Sequence, residues 1–168
     1  PTNQIPGLSG DITIRPLEIT ANAHTKVFDN TTSVATLPSI TSGAIQGTDT
    51  FGFISTFDTK NAGSNKIITP SGIVNDGNGG NNYAVTFVNA TGEITPRALT
   101  ITGATTINKV YDGTDIAATT SGTWTLTGVI SPNMVTLNKS AVFASKDAGT
   151  WAITSTSTLS GADASNYT

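Results

Sequence analysis

The sequence predicts an all-β protein: two tandem small antiparallel β-sandwich domains, immunoglobulin-like or β-grasp-related, in an elongated array. Three observations carry this reading. The 168 residues are rich in Thr, Ser and Asn, with 17 Gly and 7 Pro, and are 36% apolar and only 11% charged. β-Branched Thr and Val suit the pleated surface of a strand, while Asn, Gly, Asp and Ser supply turns. No window of helical length carries apolar residues at i, i+3, i+4 and i+7, because Thr and Gly interrupt every candidate. Finally, the chain repeats itself. Lys26-Val27-Phe28-Asp29-Asn30-Thr31 returns as Lys109-Val110-Tyr111-Asp112-Gly113-Thr114, the segment Phe57 to Gly63 returns as Phe143 to Gly149, and Asn82-Tyr83 returns as Asn166-Tyr167.

A period of half the chain exceeds the roughly 20 to 50 residues of a solenoid unit, so each copy is long enough to fold as its own small domain. Gly92-Glu93-Ile94-Thr95 matches Gly10-Asp11-Ile12-Thr13. The expected organisation is therefore residues 1–14 as the closing strand of a preceding repeat, 15–96 as the first repeat domain, and 97–168 as the second, ending one strand short. Strands are expected at Leu17 to Ala21, Thr50 to Phe57, Lys66 to Thr69, Tyr83 to Val88 and Gly92 to Thr95. In the second copy they fall at Leu99 to Thr102, Thr123 to Thr127, Met134 to Leu137, Ala141 to Ala144 and Trp151 to Ser155. A single helical turn near Ala44 to Asp49, or Val129 to Asn133, fits the pattern. Between the copies, Pro96 fixes its own φ and biases Thr95 toward extended backbone, so the joint is expected to be stiff.

The repeated six-residue segment reads first as a folding signature. Asp29-Asn30 and Asp112-Gly113 tolerate positive φ, the Asp carboxylates can cap backbone N–H groups, and Thr31 and Thr114 can do likewise. Phe28 and Tyr111 are expected to anchor this turn on the core, Lys26 and Lys109 to flank it exposed, and Tyr83 and Tyr167 to plug the start of a late strand. Gly63, Gly149 and Asn166 recur with them as signature positions.

Composition narrows the function. A net charge of −3 and a pI near 4.8 leave no basic footprint for nucleic acid or an anionic membrane. No run approaches the roughly 18 apolar residues of a membrane span, so membrane insertion is not expected. Without Cys there is neither a disulfide nor thiol chemistry. His24 stands alone, its counterparts being Thr106 and Ile107, so neither a His-based metal cluster nor a Ser-His-Asp arrangement is available. The acids are scattered, and only Asp29 and Asp112 recur as a pair. No catalytic residue, cofactor site or metal site is assigned, and an enzyme is not expected. The loop Asn75 to Asn82 offers one carboxylate, Asp76, too few for calcium. Lys26 and Lys109 beside an Asp raise the question of a Lys–Asn isopeptide bond, for which an exposed Lys flanking a turn is the simpler account. Sequons at Asn30, Asn89, Asn138 and Asn166 make Asn30 and Asn138 the leading glycosylation candidates.

The stretches KVYDGTD, AVFASKDAGTW and LSGADASNYT resemble the YDG-type repeat of large bacterial secreted and surface adhesins, including filamentous-haemagglutinin-like proteins exported by two-partner secretion. The second copy matches throughout and the first more loosely, departing at Phe28-Asp29-Asn30 and at the loop Asn75 to Gly80. The resemblance implies a nonenzymatic extracellular or cell-surface stalk or filament module, its partners being neighbouring repeats of the same or adjacent chains. A variant follows from the shifted frame: the segment Gly10 to Ile14 completes a neighbouring subunit by strand donation. The alternative is a carbohydrate- or host-surface-binding module, in which Trp124 or Trp151 stacks on surface glycans.

Overall fold

The protein is described by a computed structural model covering residues 7, 9–105, 108–119 and 122–168. The described residues are all-β, with one 3₁₀ turn at Ala164–Asn166. In the first copy the strands are β1 (Arg15–Thr20), β2 (Thr25–Val27), β3 (Ser39–Ser42), β4 (Thr50–Phe57), β5 (Gly63–Asn75), β6 (Tyr83–Val88) and β7 (Ala90–Thr95). One sheet has the order β3-β1-β6 and another β2-β7-β5-β4.

Side chains of β4 alternate, so Phe53, Ser55 and Phe57 are buried between exposed or half-buried neighbours, and β5 answers with Lys66, Ile68, Pro70 and Val74. These strands form an antiparallel hairpin running from Thr50↔Asn75 to Phe57↔Ile68. Leu17 and Ile19, two residues apart on β1, share a core with Phe53, Val74 and Tyr83. Pairing is mixed where only antiparallel pairing was expected. β1 runs parallel to β6, with Arg15 opposite Tyr83, and β2 runs parallel to β7, with Lys26 opposite Ile94. Parallel neighbours need a long crossover, which the intervening strands supply.

The second copy has shorter strands: β8 (Thr100–Thr102), β9 (Ile116–Ala117), β10 (Thr125–Thr127), β11 (Thr136–Asn138), β12 (Ala141–Phe143), β13 (Ile153–Ser155) and β14 (Thr158–Ser160). They pair as β10-β8, β11-β14 and β13-β12-β9. The long hairpin of the first copy is thus broken into two short pairs. At the break Ser157 Oγ accepts from the Ser140 N–H at 3.0 Å, taking a donor that a ladder would otherwise pair, while the Ser140 carbonyl accepts from both the Ser157 hydroxyl at 3.1 Å and the Thr156 N–H at 2.9 Å.

At the two places where a helical turn was expected the chain makes β-turns, closed by Asp49 N–H to Gln46 O and Asn133 N–H to Ile130 O. Of residues 1–14, expected as a closing strand, 1–6 and 8 lie outside the described residues, and 9–14 have no ladder partner among the described ones. The strands that the sequence did not suggest, β2, β3, β9 and β14, are only two to four residues long. The chain forms two compact units that cut across the repeats. Of the described residues, one holds those within 1–24, 32–59 and 65–92; the other holds those within 25–31, 60–64 and 93–168. The signature turn of the first copy therefore belongs to the same compact unit as the whole second copy.

Candidate functional site: a lysine-centred turn built twice

In the first copy, Lys26 Nζ donates to Asp29 Oδ1 at 2.8 Å and to the carbonyl and hydroxyl oxygens of Thr31, both at 2.9 Å. Asp29 Oδ1 also accepts from the Thr31 N–H at 2.9 Å and the Thr31 hydroxyl at 2.8 Å. The second copy repeats this bond for bond. Lys109 Nζ reaches Asp112 Oδ1 at 2.8 Å, Thr114 O at 2.6 Å and Thr114 Oγ1 at 3.0 Å. The Thr114 N–H and hydroxyl each approach Asp112 Oδ1 at 2.9 Å. An ammonium group has three protons, and the three acceptors of the turn match them.

The residue after each Asp makes the loop possible. Asn30 has φ 66° and Gly113 φ 82°, a left-handed geometry that Gly adopts freely and Asn better than most residues. The lysines are not the exposed flanks expected: their side chains are only 12% and 21% exposed. They lie inward because the turn wraps its acceptors around the ammonium.

The electrostatics follow this geometry. The Lys109 ammonium and the Thr114 N–H and hydroxyl pull the Asp112 carboxyl down to about 2. At Asp29 burial pushes upward, yet the bonds from Lys26 and Thr31 prevail and the group stays below the usual carboxylate value. Lys60 Nζ holds Asn30 Oδ1 at 2.7 Å, whereas Asn138 is exposed on β11 and hydrogen-bonds Thr158 and Ser160.

The aromatic positions part company. Phe28 is fully buried and meets the Tyr167 ring edge-on, with centroids 5.3 Å apart at 75°. Tyr111, its counterpart, is 61% exposed. The expected core anchor is thus present at Phe28, while among the described residues no ring is packed against Tyr111 as Tyr167 is against Phe28. Beside Tyr111 lies a cavity of about 250 Å³ lined by Lys109, Phe143, Asp147, Gly149 and Trp151. Trp151 Nε1 donates to the Asp147 carbonyl at 2.7 Å, and its ring packs so close over Gly149 that any Cβ there would press on it.

Both tyrosines of the Asn-Tyr pairs are buried, and so is Asn166, whereas Asn82 is exposed. The Tyr83 hydroxyl donates to Asp49 Oδ2 at 2.7 Å and accepts from the Gln46 N–H at 2.9 Å. Burial, then the Asp49 carboxylate, push its pKa up. The Tyr167 hydroxyl accepts from the Ile130 N–H at 3.0 Å and from Asn133 Nδ2 at 2.8 Å. Asn166 Oδ1 accepts from the Ala62 N–H at 2.8 Å, and its amide reaches Asn61 Oδ1 at 3.5 Å. Sequence reasoning missed Gln46, Asp49, Ile130, Asn133, Asn61 and Ala62. The available signal was that the turns and the Lys-Asn/Asp-Ala-Gly segments recur in step with the tyrosines.

The remaining candidates are occupied locally. Asp76 accepts from the backbone N–H groups of Asn78, Gly80 and Asn82, closing its own loop. His24 is half-buried, bonds Thr36 Oγ1 at 2.9 Å and tilts against Phe57. Trp124 is half-buried. Among the described residues no three His, Cys, Asp or Glu side chains cluster to hold a metal ion, and no helix is long and apolar enough to cross a membrane.

With the twofold recurrence of this turn established, comparison with protein families gives the same division. The YDG domain model matches residues 13–91 and again 95–168, so the chain belongs to the YDG domain family, carrying two copies. No curated protein matches the chain, and no solved structure does.

Proposed function

We propose that this chain is a nonenzymatic structural repeat module, part of a stalk or filament outside a bacterial cell. The observation that carries the reading is the inward use of the signature side chains. In both copies the Lys ammonium, the Asp Oδ1 and the Thr hydroxyl and backbone satisfy one another within one turn, so these side chains are spent on holding the turn together. A tandem array of such modules serves as a spacer that holds another domain away from the cell, and a chain low in charge suits that surface role. Labelling intact, unpermeabilised cells of the source organism with an antibody to the chain tests this; signal only after permeabilisation would overturn it.

A second reading has its own observation. Trp151 is 42% exposed and borders the same cavity as Tyr111, an aromatic pair of the kind on which a sugar ring stacks. A glycan array with Trp151→Ala as control decides it: binding lost in the variant supports a carbohydrate-binding module, and an empty array removes it.

A further inference from the structure

We propose that the first copy is a load-bearing element: end-to-end tension falls on the parallel β1–β6 ladder, which is loaded in shear and opens only when its whole length gives way. The inference rests on the structural-module reading and deepens it by naming the load the module resists and the strands that resist it.

Strand direction decides how a sheet meets a pull. The family match to the first copy, residues 13–91, has β1 as its first strand and β6 as its last complete one. Were these two antiparallel, the chain would enter and leave at the same end of the pair, and tension would part the ladder one bond at a time. They are parallel. The chain enters at Arg15 and leaves at Val88, so tension pulls the two strands along their own axes in opposite directions. Six pairs, from Arg15↔Tyr83 to Thr20↔Val88, lie between those points. Both ends of the ladder are closed, the Arg15 N–H donating to the Asn82 carbonyl and the Ala21 N–H to the Val88 carbonyl, each at 2.9 Å. The bonds of a parallel pair are evenly spaced, so the load is shared along it. Each bond is weak alone, and the resistance comes from having to break them together.

Further contacts keep β1 from sliding. It is the middle strand of β3-β1-β6, so a neighbour holds each of its edges. Glu18 Oε1 accepts from the Thr41 hydroxyl of β3 at 2.8 Å. Leu17 and Ile19 project from β1 into the core they share with Phe53, Val74 and Tyr83. A slip of one residue would turn both away from that core. At the start of β6 the Tyr83 hydroxyl is tied to the Asp49 carboxylate and the Gln46 N–H. The same geometry occurs elsewhere. In the other compact unit β2 runs parallel to β7, with Thr25 facing Glu93 at the sequence offset that separates Arg15 from Tyr83, and the Phe28 N–H closes that ladder on the Thr95 carbonyl. In the second copy Arg97 pairs with Tyr167 in parallel, as Arg15 does with Tyr83, and the Arg97 N–H donates to the Asn166 carbonyl at 2.9 Å, as that of Arg15 does to Asn82.

The test is single-molecule force spectroscopy of the whole chain, held through pairs of introduced cysteines; the sequence has no Cys of its own to compete as an attachment point. Thr13→Cys with Asn89→Cys pulls β1 and β6 along their axes. Thr13→Cys with Asn81→Cys grips both strands at the same end and peels them apart. All three positions are exposed and lie outside the strands, so both proteins should keep the native melting temperature, which is measured alongside. If a cysteine at 13 lowers it, Asp11→Cys takes its place in both pairs. At equal loading rate the first arrangement should rupture in a single step, at a force at least about twofold above the second, because forced unfolding is governed by the unfolding rate and tension raises that rate more when bonds break one at a time. Equal forces, a stronger peeled arrangement, or gradual lengthening in the first arrangement would overturn the proposal. Those outcomes leave the surface-module reading standing, because the cell-labelling experiment decides that separately.

Discussion

At the scale of single residues, Lys, Asp and Thr of the signature turn act as one unit. The Asp112 carboxyl stands at about 2 against an ordinary 3.8. A carboxyl depressed by folding contributes stability that is fully present above its unfolded value and is lost as pH falls through the folded one. Thermal melts should therefore lose this contribution between about pH 3.8 and pH 2. Asp112→Asn should flatten that part of the curve, and an unchanged curve would show that the turn is not coupled to folding. Lys109→Met should act on the same window, because it removes the donor that holds the carboxylate ionised. These roles were legible in the sequence only in part. The need for positive φ at Asn30 and Gly113 follows from residue type. The ammonium at the centre does not, since a Lys three residues before an Asp reads equally well as a solvated side chain.

At the scale of elements, the decisive contacts are aromatic. Phe28 is fully buried under the edge of Tyr167, so Phe28→Ala should cost about 3–5 kcal/mol in chemical denaturation. Tyr111→Ala, at the same repeat position but exposed, should cost less than about 1 kcal/mol. Equal costs would contradict the structure. Tyr167→Phe removes the acceptor of the Ile130 N–H and the Asn133 amide. Leaving those donors without it should cost about 1–3 kcal/mol, measured the same way. A Cβ at Gly43 would run into the Pro16 carbonyl at a backbone φ of 79°, so Gly43→Ala should lower the melting temperature by several degrees, about 1–3 kcal/mol. The longer strands were legible from alternation, as Phe53, Ser55 and Phe57 on β4 show. Three-residue strands such as β2 leave no period to read, and the parallel pairing of β1 with β6 depends on which distant strand arrives beside it.

At the scale of the whole molecule, sequence copy and compact unit are different objects. Residues 25–31 and 60–64 of the first copy are compact with 93–168, so the second copy should be less stable when expressed alone. Residues 97–168 by themselves, without Phe28, Asn61 and Ala62, should melt several degrees below the same segment in the full chain. Hydrogen exchange at Asn166 and Tyr167 should rise in parallel. Identical protection in the fragment would mean that the first copy contributes nothing to the second.

The sequence by itself determined that the protein is all-β, that it is a duplication, and where each Asp-Asn or Asp-Gly turn must fall. Those properties follow from residue-level chemistry: β-branching, the absence of helical periodicity, and tolerance of positive φ. Only the tertiary structure decided that the lysines lie inward, that β1 and β6 are parallel, and that Phe28 is covered while Tyr111 is open. Each of these depends on a partner far away in the chain, and burial is a property of the pair, which no local pattern of residues encodes.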